Sequence, residues 1–355
     1  MIESGLETMR RWCLETPSQL TGALARARAL GWPSARWFGE ADTGPIFLGG
    51  MGGSASACRL AHAALGDQLS MPCVIQSDPV LPRWIGPGTR VAISSYSGES
   101  WEALAMFDAA AERGARLLAV ACGGRLASDA RLDPAALFRV PEGYAPRAAL
   151  GWMVVPLMLA LAGPAAPAVA ERIARAAELI SDEMSRWERG EGLPGRNPRS
   201  LAARLQGRRI FLYALGDGDR AITGRWRNVF NENAKRLAHE GYFPELVHAE
   251  IVGWGDPTDG APSVVLVLDD PTLADGTRGR VVAAAEAELS GRGVEWIRVP
   301  ANGADRVERV LSHVALGDYL SLELASQSGV DPMPIEAITR VKAAAAGTVT
   351  ERNSQ

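Results

Sequence analysis

The chain has 355 residues, of which 47% are hydrophobic and 22% are charged, with a formal net charge of -4. This length predicts two packed lobes, and the composition excludes a disordered chain or a small disulfide scaffold. Because no long basic block is present, we expect no nucleic-acid partner.

The spacing of the cysteines and histidines bears on the cellular compartment and on whether a metal site is present. The four cysteines lie far apart and form no CxxC pattern, and the first residues show no charged-then-apolar export signal. A reduced, cytoplasmic location is therefore expected. The four histidines show no HExxH or paired spacing, so we expect no metal site.

A glycine-rich loop follows the first strand-like segment. The sequence pattern predicts a helical lead-in at 1–40 and a strand at 45–48. The loop Gly-Gly-Met-Gly-Gly-Ser follows at 49–54, and a helix is predicted at 55–65. Such a loop directs backbone N–H groups and a helix N-terminus at one point, which suits an anion. The spacing is neither that of a Walker A loop nor that of a dinucleotide fingerprint. A tight turn without a ligand uses the same residues.

A second loop, Ser-Ser-Tyr-Ser-Gly-Glu-Ser at 94–100, separates a strand at 91–93 from a helix at 101–113. Ser100 alone could serve only as an N-cap of that helix. Ser95, Ser97 and Ser100 together offer three hydroxyl donors at the sheet edge where the glycine loop lies. The two loops together predict a phosphate site.

An uncharged stretch at 148–170 is long enough to span a bilayer. Prolines interrupt it, alanine and glycine dilute its hydrophobicity, and no basic flank follows the usual orientation rule closely. We therefore predict a buried helix of a large α/β protein and no membrane partner. A helical connector at 166–199 follows the first lobe.

The second half repeats the plan of the first. Strand-like segments at 209–212 and 264–267 match 45–48 and 91–93, and Arg-Val-Pro ends a strand-like segment in both halves, at 139–141 and 298–300. Strands that alternate with helices predict an α/β fold of two lobes, each a parallel sheet flanked by helices. The first lobe is expected at 41–165, the second at 200–346 with the C-terminal helix, and a polar tail at 347–355.

Four further side chains are candidates for catalysis, although each has an ordinary structural explanation. Glu232, on a helix expected at 221–238, could simply pair with Arg236 four residues later. His248 near apolar residues could be a structural histidine, and Lys342 a solvated surface lysine. Arg147 could bind local carbonyls at a helix start.

The pairing of Gly-Met-Gly-Gly-Ser with Ser-Tyr-Ser-Gly-x-Ser resembles the sugar isomerase (SIS) domain, a flavodoxin-like α/β fold that binds phosphosugars. This resemblance implies that the phosphate ligands are Gly52, Gly53, Ser54, Ser95, Ser97 and Ser100. Many SIS domains carry Asn and Thr where this chain has Glu99 and Ser100. The carboxylate of Glu99 must therefore point away from the phosphate.

Nearly the whole chain resembles the bifunctional phosphoglucose/phosphomannose isomerases. Glu-Asn-Ala-Lys at 232–235, Phe-Pro-Glu-Leu-x-His-x-Glu-Ile-Val-Gly-Trp at 243–254 and Pro-Arg-Ala-Ala-Leu at 146–150 carry this resemblance. It implies that Glu232 moves the proton through a cis-enediol and that Arg147 stabilises the developing negative charge. His248 would open the ring from the partner subunit of a homodimer, and Lys342 would assist near the ring oxygen. No cofactor is implied.

We therefore expect an isomerase that interconverts glucose 6-phosphate, mannose 6-phosphate or both with fructose 6-phosphate, as in glycolysis and gluconeogenesis. Two alternatives stay open. One is a non-catalytic phosphosugar-binding SIS protein, although such regulators usually carry a basic DNA-binding segment that is not evident before residue 40. The other is a different phosphosugar isomerase or lyase.

Overall fold

The computed structural model describes residues 2–33, 37, 44–254, 262–272 and 276–345. The expected tail at 347–355 lies outside these residues. The lead-in consists of α1 (Ile2–Leu14) and α2 (Thr16–Leu30), and α2 ends at a glycine with left-handed backbone. Helix α2 packs against the helices that follow the first sheet.

The first lobe contains a parallel sheet of five strands in the order β2-β1-β3-β4-β5. Its strands are β1 (Ile46–Gly50), β2 (Cys73–Gln76), β3 (Arg90–Ser94), β4 (Arg116–Ala121) and β5 (Leu137–Arg139). This is the flavodoxin-like order, in which the chain switches direction between β1 and β3 and ligands bind beyond the carboxyl ends of those two strands. Every residue of β1 and β3 is buried, as expected for a sheet with helices on both faces.

The second lobe repeats this arrangement with one strand fewer, in the order β7-β6-β8-β9. Its strands are β6 (Arg209–Ala214), β7 (Ala238–Tyr242), β8 (Ser263–Asp269) and β9 (Glu295–Pro300). All pairings are parallel, as in the first sheet. The predicted α/β fold with two flavodoxin-like lobes is confirmed. The exact lobe boundaries stay a prediction.

Helices cover both sheets. Those of the first lobe are α3 (Gly52–Leu65), α4 (Trp101–Glu112), α5 (Gly124–Ser128) and α6 (Leu150–Ala162). The connector contributes α7 (Ala166–Glu188) and α8 (Pro198–Leu205). The second lobe and the C-terminal segment contain α9 (Arg220–Asn233), α10 (Glu250–Gly253), α11 (Gly276–Gly291), α12 (Arg306–Gln327) and α13 (Glu336–Ala345). One apolar core includes residues of α3, α6, α9 and α12, so the two lobes share it.

Helix α6 is almost entirely buried, as predicted. With α7 it forms the helical segment Leu150–Glu188, which by length and composition alone could cross a membrane. Of the most apolar part of this segment, 56% is buried inside the structure. The apolar sequence is therefore used for packing against α2, α3 and α7.

The helix expected at 221–238 is shorter than its sequence suggested. Helix α9 ends at Asn233, and Lys235 has a left-handed φ of 55° that a helix cannot continue through. Residues from Ala238 onward instead pair with β6 as the edge strand β7. The Glu232–Arg236 pair, the alternative structural explanation for Glu232, is therefore not formed, and Arg236 donates to the carbonyl of Arg208 at 2.8 Å. Sheet pairing overrides the local helical pattern here.

Candidate active site

The glycine loop joins β1 to α3 in a tight turn. Met51 is the extended N-cap residue, and Gly52 begins the helix with a φ of 55°, a conformation that favours glycine. A Cβ atom on Gly50 would lie 2.8 Å from the carbonyl oxygen of Ser94 on the neighbouring strand. The first N–H groups of a helix have no acceptor within the helix. The turn therefore presents N–H donors beyond the carboxyl end of β1.

Ser54 ties this loop to the serine loop. Its buried hydroxyl oxygen accepts a hydrogen bond of 3.1 Å from the backbone N–H of Tyr96. Because Tyr96 follows β3, the bond holds the ends of two adjacent strands in a defined relation. The two predicted halves of the phosphate site are thus brought together.

The serine hydroxyls are arranged around the start of α4. Those of Ser95 and Ser100 lie 3.3 Å apart and are hydrogen bonded. Ser100 is the N-cap residue, yet its side chain makes no capping hydrogen bond. Ser97 is exposed and accepts the N–H of Glu99 at 3.2 Å. Simple helix capping therefore does not account for these serines, and their hydroxyls are available to an anion.

The carboxylate of Glu99 is bound by the loop that follows β4. Its Oε1 accepts the backbone N–H of Arg125 at 2.7 Å, at the start of α5. Gly98, with a φ of 72°, allows the two loops to touch, since a Cβ there would lie 2.0 Å from the carbonyl oxygen of Gly123. The serine loop is thus fixed against the loop that follows β4.

Arg147 lies between the glycine loop and the end of α9. A Cβ atom on Gly53 would lie 3.6 Å from the Cα atom of Arg147. The buried guanidinium donates from Nε to Asn233 Oδ1 and from Nη2 to the Pro332 carbonyl, each at 2.7 Å. Its Nη1 lies 3.6 Å from Oε2 of Glu232, whose side chain is 25% exposed. Three segments distant in sequence thus meet at this arginine.

The electrostatics favour a fixed cation next to a partly exposed carboxylate. Burial lowers the pKa of Arg147, while Glu232 acts to raise it and Arg225 to lower it. An arginine side chain remains protonated in proteins even so. Arg225 in turn donates to the carbonyl oxygen of Arg147 at 2.6 Å and to both carboxylate oxygens of Asp318 at 2.8 Å. The backbone and the side chain of Arg147 are both held.

Two residues of this site escaped the sequence reasoning. Asn233 donates to Ser321 Oγ at 2.8 Å, which leaves its carbonyl oxygen facing Arg147. Lys235 donates to the backbone carbonyls of Glu232 and Pro332, and burial followed by the charge of Arg147 lowers the pKa of Lys235. The Glu-Asn-Ala-Lys motif was the signal that could have identified both.

Neither His248 nor Lys342 makes a hydrogen bond or an ion pair with a described residue of this site. His248 is exposed on the short helix Glu245–His248 that follows β7, and it makes no hydrogen bond or ion pair with any described residue. The neighbouring Glu250 is anchored by the hydroxyl of Tyr213. Lys342 is exposed on α13 and likewise has no polar partner in the part of the chain that is described.

The geometry places a partly exposed carboxylate next to two loops whose N–H groups and hydroxyls suit an anion. The cradle consists of the two loops at the carboxyl ends of β1 and β3. The pair Arg147–Glu232 adjoins its glycine side. No group of three or more metal-ligating side chains occurs within the described residues. A carboxylate next to a buried cation can move a proton while the cation stabilises negative charge on the substrate.

Comparison with known proteins identifies chains with a similar sequence or fold. Residues 196–344 match the family described as bacterial phospho-glucose isomerase C-terminal SIS domain. The C-terminal domain of glucosamine-fructose-6-phosphate aminotransferase from Francisella tularensis has the same fold, with a TM-score of 0.67 at 14% identity over 91% of this chain and 96% of that chain.

Two curated relatives are similar over most of the chain. The bifunctional phosphoglucose/phosphomannose isomerase of Caldicellulosiruptor bescii is 30% identical over 85% of this chain and 89% of its own length. The protein of the same name from Thermoplasma acidophilum is 28% identical over 84% of this chain and 88% of its own length. The chain therefore belongs to the bifunctional phosphoglucose/phosphomannose isomerase family.

Proposed function

We propose that this chain is an aldose–ketose isomerase, an intramolecular oxidoreductase that interconverts glucose 6-phosphate and mannose 6-phosphate with fructose 6-phosphate. The observation that carries the proposal is the placement of Glu232 and Arg147 beside the glycine loop. Both predictions made from the sequence, an isomerase and a sugar phosphate substrate, agree with the family to which the chain belongs.

The phosphate binds to the two loops. The N–H groups of Gly52 and Gly53 at the start of α3 provide uncharged donors, and the hydroxyls of Ser54, Ser95, Ser97 and Ser100 surround the same edge of the sheet. Helix N-termini stabilise an anion through both their free N–H groups and their dipole. The phosphate anchors one end of the sugar while its C1 and C2 reach the end of α9.

Glu232 acts as the base. It removes the proton from C2 of the aldose and returns it to C1, through a cis-enediol intermediate. Arg147 stabilises the negative charge that develops on the enediolate oxygen, and its cost of reorganisation is small because its partners already hold it. Glucose and mannose differ only at C2, so one enediol serves both. Lys342 assists near the ring oxygen.

We further propose a homodimer in which His248 of one subunit opens the sugar ring in the other. The support is its position on an exposed edge, away from Glu232 of its own chain. Leu237 and Val252, which flank this edge, are 82% and 77% exposed, which is unusual for large apolar side chains. A second copy that covered this edge would bury both.

The reaction would occur in the cytoplasm, in glycolysis and gluconeogenesis. The four cysteines are free, which fits a reducing compartment. Burial raises the pKa of Cys58 to about 12, so this thiol is unreactive.

The activity is tested by incubation of the purified protein with fructose 6-phosphate in D2O, with the products identified by NMR. We expect glucose 6-phosphate and mannose 6-phosphate with deuterium at C2. The proton that the base takes from C1 of fructose 6-phosphate exchanges with solvent at the enediol stage, before a proton is added to C2. Glu232→Gln should bind fructose 6-phosphate and turn none of it over. Undiminished turnover by this variant would exclude Glu232 as the base.

The shared site is tested by subunit mixing. Glu232→Gln and His248→Ala homodimers should each be nearly inactive, whereas co-refolded mixtures should regain part of the activity. A mixed dimer has one site with both native residues only if Glu232 and His248 come from different subunits. Mixtures as inactive as the parents would refute a site shared between subunits.

A further inference from the structure

The two lobes carry an arginine at the same place in their repeated sequence. Arg147 and Arg306 each lie six residues after the proline of an Arg-Val-Pro run. Each also follows the last strand of its sheet and lies at or just before the start of the next long helix, α6 or α12. The lobe repeat thus makes Arg306 the counterpart of an active-site residue.

The two arginines contact opposite ends of the same pair of helices. Arg147 adjoins Gly53 at the start of α3 and binds Asn233 at the end of α9. Arg306 forms an ion pair with Asp219, the residue before α9, and donates from Nε to the carbonyl oxygen of Ala63 near the end of α3 at 3.0 Å.

Helices α3 and α9 therefore run antiparallel, with an arginine at each end of the pair. Between these ends the two helices share the apolar core, but the side-chain hydrogen bond that joins them is marginal, with Asn228 Nδ2 at 3.5 Å from Ser56 Oγ. The side chain of Arg306 is only 19% exposed and that of Asp219 only 3%. A buried guanidinium with several directed bonds holds a more defined geometry than one marginal hydrogen bond between side chains.

Among the described residues of the second lobe, acidic side chains occupy the position equivalent to the phosphate site of the first. Asp219 and Asp270 occupy the carboxyl ends of β6 and β8, where the glycine and serine loops lie in the first lobe. Asp270 lies 3.3 Å from Arg306, accepts from Arg309 at 2.9 Å and accepts the hydroxyl of Thr272 at 2.7 Å. These two carboxylates take the place of an external anion.

We propose that Arg306 is a positioning residue that sets the register of α9 against α3, and thereby the place of Glu232 relative to the bound sugar. The inference rests on the proposed function. All proposed phosphate ligands belong to the first lobe, whereas Glu232 belongs to the second. A shift of α9 along α3 would therefore leave phosphate binding intact and move the carboxylate away from C1 and C2.

Two variants test this role. Arg306→Lys keeps a positive charge near Asp219, but one ammonium group cannot also reach Ala63 with the same geometry. Arg306→Met combined with Asp219→Asn removes both charges of the pair, and Asp270, which also faces Arg306, keeps its ion pair with Arg309. Because a displacement of about 1 Å costs on the order of 100-fold in rate, we expect kcat to fall about 10- to 100-fold in both. KM for fructose 6-phosphate should stay within about 3-fold of wild type. The kcat values are expressed per folded molecule, because loss of folded protein alone would also lower the apparent kcat at constant KM.

The matched control is Arg309→Met. Arg309 also binds Asp270 but contacts neither α3 nor α9 through its hydrogen bonds and ion pairs. The Arg309→Met protein should be less stable than the wild type and should keep the wild-type kcat. Hydrogen exchange measured on the same proteins reports on the helices without reference to activity, and should increase in α3 and α9 of the Arg306 variants only.

The outcomes separate this inference from the proposed function. If the Arg306 variants fold and keep kcat per folded molecule, or if Arg309→Met lowers kcat equally, the positioning role is wrong. If the wild-type protein turns over no phosphosugar, the proposed function fails. If hydrogen exchange in α3 and α9 of the Arg306 variants were then no faster than in Arg309→Met, the inference would be refuted as well.

Discussion

Replacement of Arg147 by lysine probes the centre of the site. The guanidinium is buried and directs bonds to Asn233, to the carbonyl of Pro332 and toward Glu232. A lysine retains the charge and a similar length, but its compact ammonium group cannot make these contacts from three nitrogen atoms at once. The substitution therefore separates charge from geometry.

The size of the effect follows from the lost bonds. If the Oδ1 atom of Asn233 is left buried without a donor, the free energy of unfolding falls by about 1–3 kcal/mol. Loss of an oriented donor to the enediolate costs about 100- to 1000-fold in kcat, by analogy with an oxyanion-hole donor. We expect KM to change little, because Arg147 is not among the proposed phosphate ligands.

Steady-state kinetics with fructose 6-phosphate and urea denaturation of Arg147→Lys measure the two effects. Arg204→Lys is the control, since Arg204 binds Glu295 at a more exposed position and makes no hydrogen bond or ion pair with a described residue of the site. A kcat within about 3-fold of wild type in Arg147→Lys would show that a positive charge alone suffices, and would refute the role assigned to the guanidinium geometry.

Three further substitutions test other parts of the structure. Asn233→Ala should lower kcat about 10-fold through a less restrained Arg147; rate measurements at saturating substrate check this, and an unchanged kcat would contradict it. Ser100→Ala should leave the melting temperature nearly unchanged, because the hydroxyl makes no capping bond, while KM rises about 10-fold; a large loss of melting temperature with an unaltered KM would mark a purely structural serine. Burial lowers the pKa of His313 well below its ordinary value. The unfolded chain therefore gains a proton near pH ~6.5 that the folded chain does not gain. The free energy of unfolding should fall as the pH decreases below that value, by up to ~1.4 kcal/mol per pH unit. His313→Leu should flatten this dependence in denaturation curves recorded between pH 5 and 8 (roughly the range in which histidine titrates); an identical slope would exclude His313 as its source.

Local sequence determined much of this protein. Short apolar strands that alternate with helical segments, repeated in two halves, predicted the parallel sheets, and the spacing of Ser95, Ser97 and Ser100 predicted the phosphate cradle. These features are set within a few residues, by backbone conformations that only certain side chains allow and by apolar runs that must be buried.

Tertiary structure decided what surrounds that cradle. The local pattern favoured a longer α9, but parallel pairing with β6 ended it before Lys235. Arg147 finds its partners 86 and 185 residues away in sequence, at Asn233 and Pro332. No periodicity encodes such contacts, because they arise only when two lobes pack and a buried charge must satisfy its hydrogen bonds. The same packing places His248 on an exposed edge away from Glu232. It also brings Arg306 to the far ends of α3 and α9, where Arg306 contacts both helices.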